Sequence, residues 1–88
     1  MNGKDIEYVV DALSVINPKA LLLTGHDDAI EGYLVRGSKK PIAVYSISKI
    51  CRNLCDMGMD EFDAKEYFDF NIRGSMMGED GPVFLSDD

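Results

Sequence analysis

The chain has 88 residues, 45% of them apolar and 28% charged, with a formal charge of −7. A chain of this length forms one domain that buries only about 60% of its unfolded surface, so one modest core is expected and a deep multi-walled cleft is not. The acidity disfavours contact with nucleic-acid phosphates, and no run reaches the roughly 18 apolar residues of a membrane span.

The start, Met1-Asn2-Gly3-Lys4-Asp5, lacks the basic segment and apolar run of a secretory leader, and Asn2 stands where N-myristoylation needs glycine. Asp5 to Ile16 reads as a helix, because Ile6, Val9, Val10, Leu13 and Ile16 form one apolar stripe. Asn17-Pro18 ends it, since a residue before proline is biased out of the helical region. Ala20 to Thr24 is a short apolar run that reads as a buried strand. After the turn Gly25-His26-Asp27-Asp28, Ala29 to Arg36 reads as a second strand. Ile30, Gly32 and Leu34 are expected on one face and Glu31, Tyr33 and Val35 on the other. The polar loop Gly37-Ser38-Lys39-Lys40 leads into a third strand, Pro41 to Tyr45. Short loops between these strands predict a three-stranded antiparallel meander.

Ser46 or Ser48 can cap a second helix running to about Asp56 or Met57, closed by Gly58. Asp60 can cap a third helix that runs to about Ile72 and stops at Gly74, with acids in its first turn favoured by the helix dipole. The tail holds Gly74, Gly78, Gly81 and Pro82, and its Val83-Phe84-Leu85 can form a short edge strand or plug the core. The predicted fold is therefore α+β, a single domain over residues 1–88: a helix, a three-stranded antiparallel sheet, two helices and a glycine-rich tail. Its expected core is Ile6, Val9, Val10, Leu13, Leu21, Leu23, Ile30, Leu34, Val44, Ile47, Leu54, Tyr67 and Phe68.

The third helix is apolar on two sides. At 100° per residue, Ala64, Tyr67, Phe68 and Ile72 share one side with Asn71 near its middle, while Met59, Phe62 and Phe70 lie opposite among Asp63, Glu66 and Asp69. One side faces the core; the other then exposes aromatics framed by carboxylates, as protein-binding surfaces do, unless the tail or the first helix covers them. Asn71 on the core side needs partners, and the segment from Gly74 to Gly81 offers backbone groups, so Asn71, Gly74, Gly78 and Glu79 are expected to order that loop. The charge is skewed toward the same end. Residues 1–55 hold six acids and seven bases, and residues 56–88 hold ten acids and two bases, sums of +1 and −8. That field can steer the domain onto a basic partner or simply keep it soluble.

His26-Asp27-Asp28 is the one place where an imidazole meets carboxylates locally. A metal-dependent or hydrolytic site built from His26, Asp28 and Glu79 is the enzyme alternative, against a plain polar turn. Cys51 and Cys55, four apart, are expected to be buried and reduced on one helical face, which fits the cytoplasm. With one histidine and two cysteines there is no zinc set, and no cofactor or metal is expected.

Two stretches carry a resemblance. Thr24-Gly25-His26-Asp27-Asp28-Ala29-Ile30-Glu31-Gly32 resembles an acid-Gly-x-acid-x-Ala-Ile-x-Gly motif. Phe70-Asn71-Ile72-Arg73-Gly74 with Gly78-Glu79-Asp80-Gly81-Pro82-Val83-Phe84 resembles a Phe-Asn-x-x-Gly…Gly-Glu-x-x-Pro-x-Phe motif. With Tyr45 before the second helix, the chain resembles a family of small uncharacterised bacteriophage and mobile-element proteins over roughly residues 20 to 85. Thr24 stands where that motif has an acid, and Glu31 where an apolar residue is more usual. The resemblance implies a phage origin and no particular chemistry. Together with the size and the skewed acidity, it leads to the expectation of a non-catalytic cytoplasmic protein that binds and inhibits a host or defence protein, as an anti-CRISPR does. Phe62, Asp63, Glu66, Asp69 and Phe70 are the expected contacts to a partner's basic surface, with no direct contact to nucleic acid or membrane. An oligomerising accessory protein, a homodimer through Phe62 and Phe70, is the further alternative.

Overall fold

The computed structural model describes residues 3–23 and 25–86, with side chains described from residue 8 onward. Helix α1 (Gly3–Ile16) is followed, after an irregular stretch and a 3-10 turn (Asp27–Ala29), by strands β1 (Ile30–Arg36) and β2 (Lys39–Ser46). Helices α2 (Ile47–Asp56) and α3 (Glu61–Tyr67) come next, and α3 continues as a π-helical segment (Phe68–Arg73). A 3-10 turn (Gly74–Met76) and strand β3 (Val83–Leu85) complete the α+β fold.

Local signals place most of these elements. Ser46 caps α2, its side chain accepting from the Lys49 amide at 3.1 Å. Gly58 follows that helix at φ +110°, in the region only glycine enters freely. Asp60 caps α3 by accepting from the Asp63 amide at 2.7 Å.

The sheet is mixed, with order β1-β2-β3, and not an antiparallel meander. β1 and β2 pair antiparallel, while β3 joins the far side of β2 in parallel. The run 20–23 does not enter the sheet. The Leu21 amide bonds to the Asp80 carbonyl at 2.9 Å, but the Leu23 amide donates to the Tyr45 hydroxyl at 3.0 Å instead of to a strand carbonyl. Pro82, beside β3, has no N–H to extend a ladder. Leu21 is accordingly exposed. Thr24, at the end of the expected strand, lies outside the described residues.

The core unites Val9, Leu13, Leu23, Ala29, Ile30, Ala43, Tyr45, Ile50, Leu54, Ala64, Phe68 and Ile72. Val10 and Ile47 pack against it half-buried, and Val44 is half-buried as well. Ile6 lies outside the described side chains. Leu34, expected beside Ile30, is exposed. Ile30 pairs with Tyr45 but Gly32 with Val44, so two residues of β1 oppose one of β2. This bulge places Ile30 on the core side with Tyr45 and Leu34 on the outer side with Ile42.

The third helix also packs differently from a regular wheel. Ala64, Phe68 and Ile72 are buried, whereas Tyr67 and Asn71 are exposed. In an α-helix, residues four apart drift by about 40° per step. The wider turns of the π segment counter that drift and return Ile72 to the core beneath Phe68, leaving Tyr67 and Asn71 outside. Phe68 meets the Phe84 ring edge-on at a centroid separation of 5.0 Å, which ties the helix to β3.

Candidate protein-binding face

The outer side of α3 and the π segment carries the aromatic residues that the helical wheel separates from the core. Phe62 is 71% exposed and Phe70 79% exposed. Asp63 and Glu66 are exposed as well, and neither carboxylate joins an ion pair among the described residues. Asp69 is half-buried and lies 3.8 Å from Arg73 at i,i+4, so part of its charge is answered locally. Phe70, Tyr67 and Met59 line a shallow depression of about 370 Å³ together with Asp63, Glu66 and Asn71. Phe62 is not part of that lining. Of the expected stripe of Phe62, Glu66 and Phe70, only Glu66 and Phe70 therefore share the hollow. Two aromatic rings and two unpaired carboxylates around one hollow suit a guanidinium or ammonium, which gains from both ring face and charge.

The loop-ordering role does not fall to Asn71. Its side chain is exposed, and its backbone carbonyl accepts from the Ser75 hydroxyl at 2.7 Å. The residue that performs the expected task is Asn17, buried at the end of α1. Its amide nitrogen donates to the Pro41 carbonyl at 2.8 Å and to Asp80 Oδ1 at 3.3 Å, and its oxygen accepts from the Lys19 amide at 3.2 Å. A signal existed: Asn17 lies four residues after Leu13, so it continues the apolar stripe of α1 with a polar group. Arg36 also holds the loop, through Nη1 to the Glu79 carbonyl at 3.0 Å. Glu79 thus contributes its backbone rather than its carboxylate to this contact. Gly74 has helical dihedrals (φ −63°) and does not break the chain by a left-handed turn, whereas Gly78 does adopt positive φ, at +132°.

His26, Asp28 and Glu79 are not assembled. Among the described residues no three of His, Cys, Asp and Glu stand together in a way that could hold a metal. His26 is buried rather than part of an exposed turn. The Asn53 amide nitrogen lies 3.2 Å from His26 Nδ1 and donates to Asp28 Oδ1 at 2.9 Å, so α2 holds the turn in place. A carboxylate oxygen accepts, so the amide nitrogen faces it, and the same N–H₂ group leaves Nδ1 as the accepting ring nitrogen. Lys49 and Glu31, 3.1 Å apart, add an ion pair between α2 and β1. Cys51 and Cys55 are half-buried and not in a disulfide, and they line a hollow of about 480 Å³ between α2 and α3 with Arg52, Glu61 and Lys65.

Tyr45 is the buried titratable group of the core. Removal from water raises its phenol above the ordinary value, the Leu23 N–H bond pulls the other way, and the Asp27 charge adds to the rise. The folded domain therefore holds this proton more tightly than the unfolded chain. The resulting stability is intact below about pH 10 and is lost as pH climbs past the unfolded value toward the raised one. We expect a late tyrosinate absorbance step that coincides with unfolding and disappears in Tyr45→Phe. That variant should also lose roughly 1–3 kcal/mol, since it strands the buried Leu23 amide; chemical denaturation measures the loss.

No protein-family model, curated protein or solved structure matches this chain. Among the described residues no helix is long and apolar enough to cross a membrane.

Proposed function

We propose that this chain is a non-catalytic protein-interaction module whose third helix docks on a basic surface of a partner protein and blocks it. The observation that carries the reading is the pair of strongly exposed rings, Phe62 and Phe70, set among Asp63, Glu66 and Asp69 on one element. Exposed aromatics rimmed by charged groups are a mark of protein-interaction surfaces. The depression beside Phe70 offers a place for a partner's arginine or lysine. Inhibition of a host or defence protein, in the manner of an anti-CRISPR, is the concrete form of the proposal, in the cytoplasm of the host cell. The small size, the acidic last third and the phage-type motifs support it.

Affinity capture from cells bearing a defence system, followed by binding kinetics with the purified captured protein, tests the proposal. Charge reversal of Asp63, Glu66 and Asp69 to lysine should slow association at least about tenfold, with a weaker dependence on salt, because the acids set encounter. Phe62→Ala and Phe70→Ala should instead speed dissociation, each by about 2 kcal/mol of lost affinity. Circular dichroism should show all of them folded, as four of these side chains are exposed and Asp69 is half-buried at the surface. Binding that ignores both sets of changes would dismiss this face as the contact.

A further inference from the structure

The outer face of the sheet departs from the pattern of a solvated one. A sheet with helices on one side and water on the other alternates apolar and polar side chains. Here Leu34, Ile42, Val44, Val83 and Leu85 all share the side away from the helical core, by register with one another. Leu34, Val83 and Leu85 are 43%, 37% and 49% exposed. On this side, Leu34, Ile42 and Val83 line a groove of about 590 Å³ together with Met76 and Met77 from the tail side.

Two guanidiniums line the groove, Arg36 and Arg73. Among the described residues Arg36 is held by carbonyls alone: Nε at 2.9 Å and Nη2 both donate to the Lys40 carbonyl, and Nη1 donates to the Glu79 carbonyl at 3.0 Å. A guanidinium has five N–H donors, so one on each Nη remains, and none of these bonds answers its charge. Among the described residues Arg73 has the 3.8 Å contact to Asp69 and the Phe68 ring beneath it. Lys39 and Lys40, exposed at the adjoining hairpin, extend the positive region.

We infer that this groove binds an extended peptide segment of a partner protein that carries a carboxylate beside apolar side chains. The apolar floor requires the second feature and the two arginines the first. Arg36 is already oriented by its three bonds, so pairing with a carboxylate costs it little freedom. Methionine walls adapt to varied side chains, and methionine with arginine is the pairing enriched at interface centres. The groove is opposite in sign to the third-helix face, and the inference does not depend on that face.

The test is an NMR titration of the full chain with labelled methionine methyls and three capped eight-residue peptides. These are a Leu-Glu-Leu-Asp repeat, its uncharged Leu-Gln-Leu-Asn counterpart and a Leu-Lys-Leu-Lys repeat. The acidic peptide should shift the Met76 and Met77 methyls, with affinity at least about tenfold above the uncharged one. Arg36→Gln should weaken it about tenfold. Because Arg36 also braces the hairpin, Arg73→Gln serves as the second variant, with a loss of roughly threefold or more in a protein of unchanged melting temperature. Leu34→Asp should abolish binding. Equal affinity for the uncharged peptide, shifts confined to the third helix, or indifference to both arginine variants would each overturn the inference. So would concentration-dependent self-association without peptide binding, which would make a second copy the occupant.

Discussion

Replacing Asn17 with alanine should lower the unfolding free energy by about 3 kcal/mol, as read from the midpoint and slope of urea denaturation. The amide is buried and makes three hydrogen bonds, to Pro41, Asp80 and Lys19. Its removal leaves a void and strands the Pro41 carbonyl at the start of β2. The loss is large against a total stability on the order of 5–10 kcal/mol for a domain of this size. Asn17→Asp should be worse than alanine at neutral pH, because it points a carboxylate at the Pro41 carbonyl and the Asp80 carboxylate. A change under about 1 kcal/mol in Asn17→Ala would show that solvent replaces these bonds freely and that the amide is not the clamp.

Gly81→Ala should be at least as damaging, at about 3 kcal/mol or more, for a purely steric reason. A Cβ at this position would lie 1.9 Å from the Met76 carbonyl oxygen and 3.4 Å from that of Gly78. The obstacle is backbone, which cannot turn aside like a flexible side chain. The turn from Met76 to Gly81 must open, and with it the Asp80 contacts to Asn17 and Leu21. The matched control is Gly74→Ala, where the dihedrals are helical and the nearest atom stands at an ordinary 3.8 Å. That substitution should be neutral or stabilise by up to about 1 kcal/mol. Thermal melts of the two variants beside the parent decide the matter, and a Gly81→Ala domain as stable as the parent would contradict the tight approach.

The same two positions separate what is legible in the sequence from what is not. Glycines 74, 78 and 81 look alike in sequence, yet only Gly81 lies under a carbonyl. The need for a buried amide to order the tail is legible, but local spacing points to Asn71, nine residues from Asp80. The structure gives the task to Asn17, which reaches Asp80 across 63 positions. The grouping of His26, Asp28 and Glu79 meets the same limit. His26 and Asp28 are two positions apart in sequence, but Asn53 of α2 binds both, and Glu79 belongs to another contact.

What the sequence determined by itself is what depends on neighbours three or four residues away. The spans of α1 and α2, the caps at Ser46 and Asp60, the turn at Gly58 and the two-sided character of the third helix all follow from such local relations. The exposure of Phe62 and Phe70 does not belong here, because the tail or the first helix could have covered the second apolar side, and only the packing left both rings open. Tertiary structure decided everything set by register between distant segments. A one-residue bulge beside Glu31 moved Leu34 out of the core. β3, three residues long, displaced the stronger apolar run 20–23 as the third strand, because β2 could pair with it while the Leu23 amide was held by Tyr45. The π turn arose because Ala64, Phe68 and Ile72 must reach the same core, a demand made by the packing against β3 and not by the local helical preference. Local free energies favour a regular helix and an apolar strand at these places, and only the long-range contacts outweigh them.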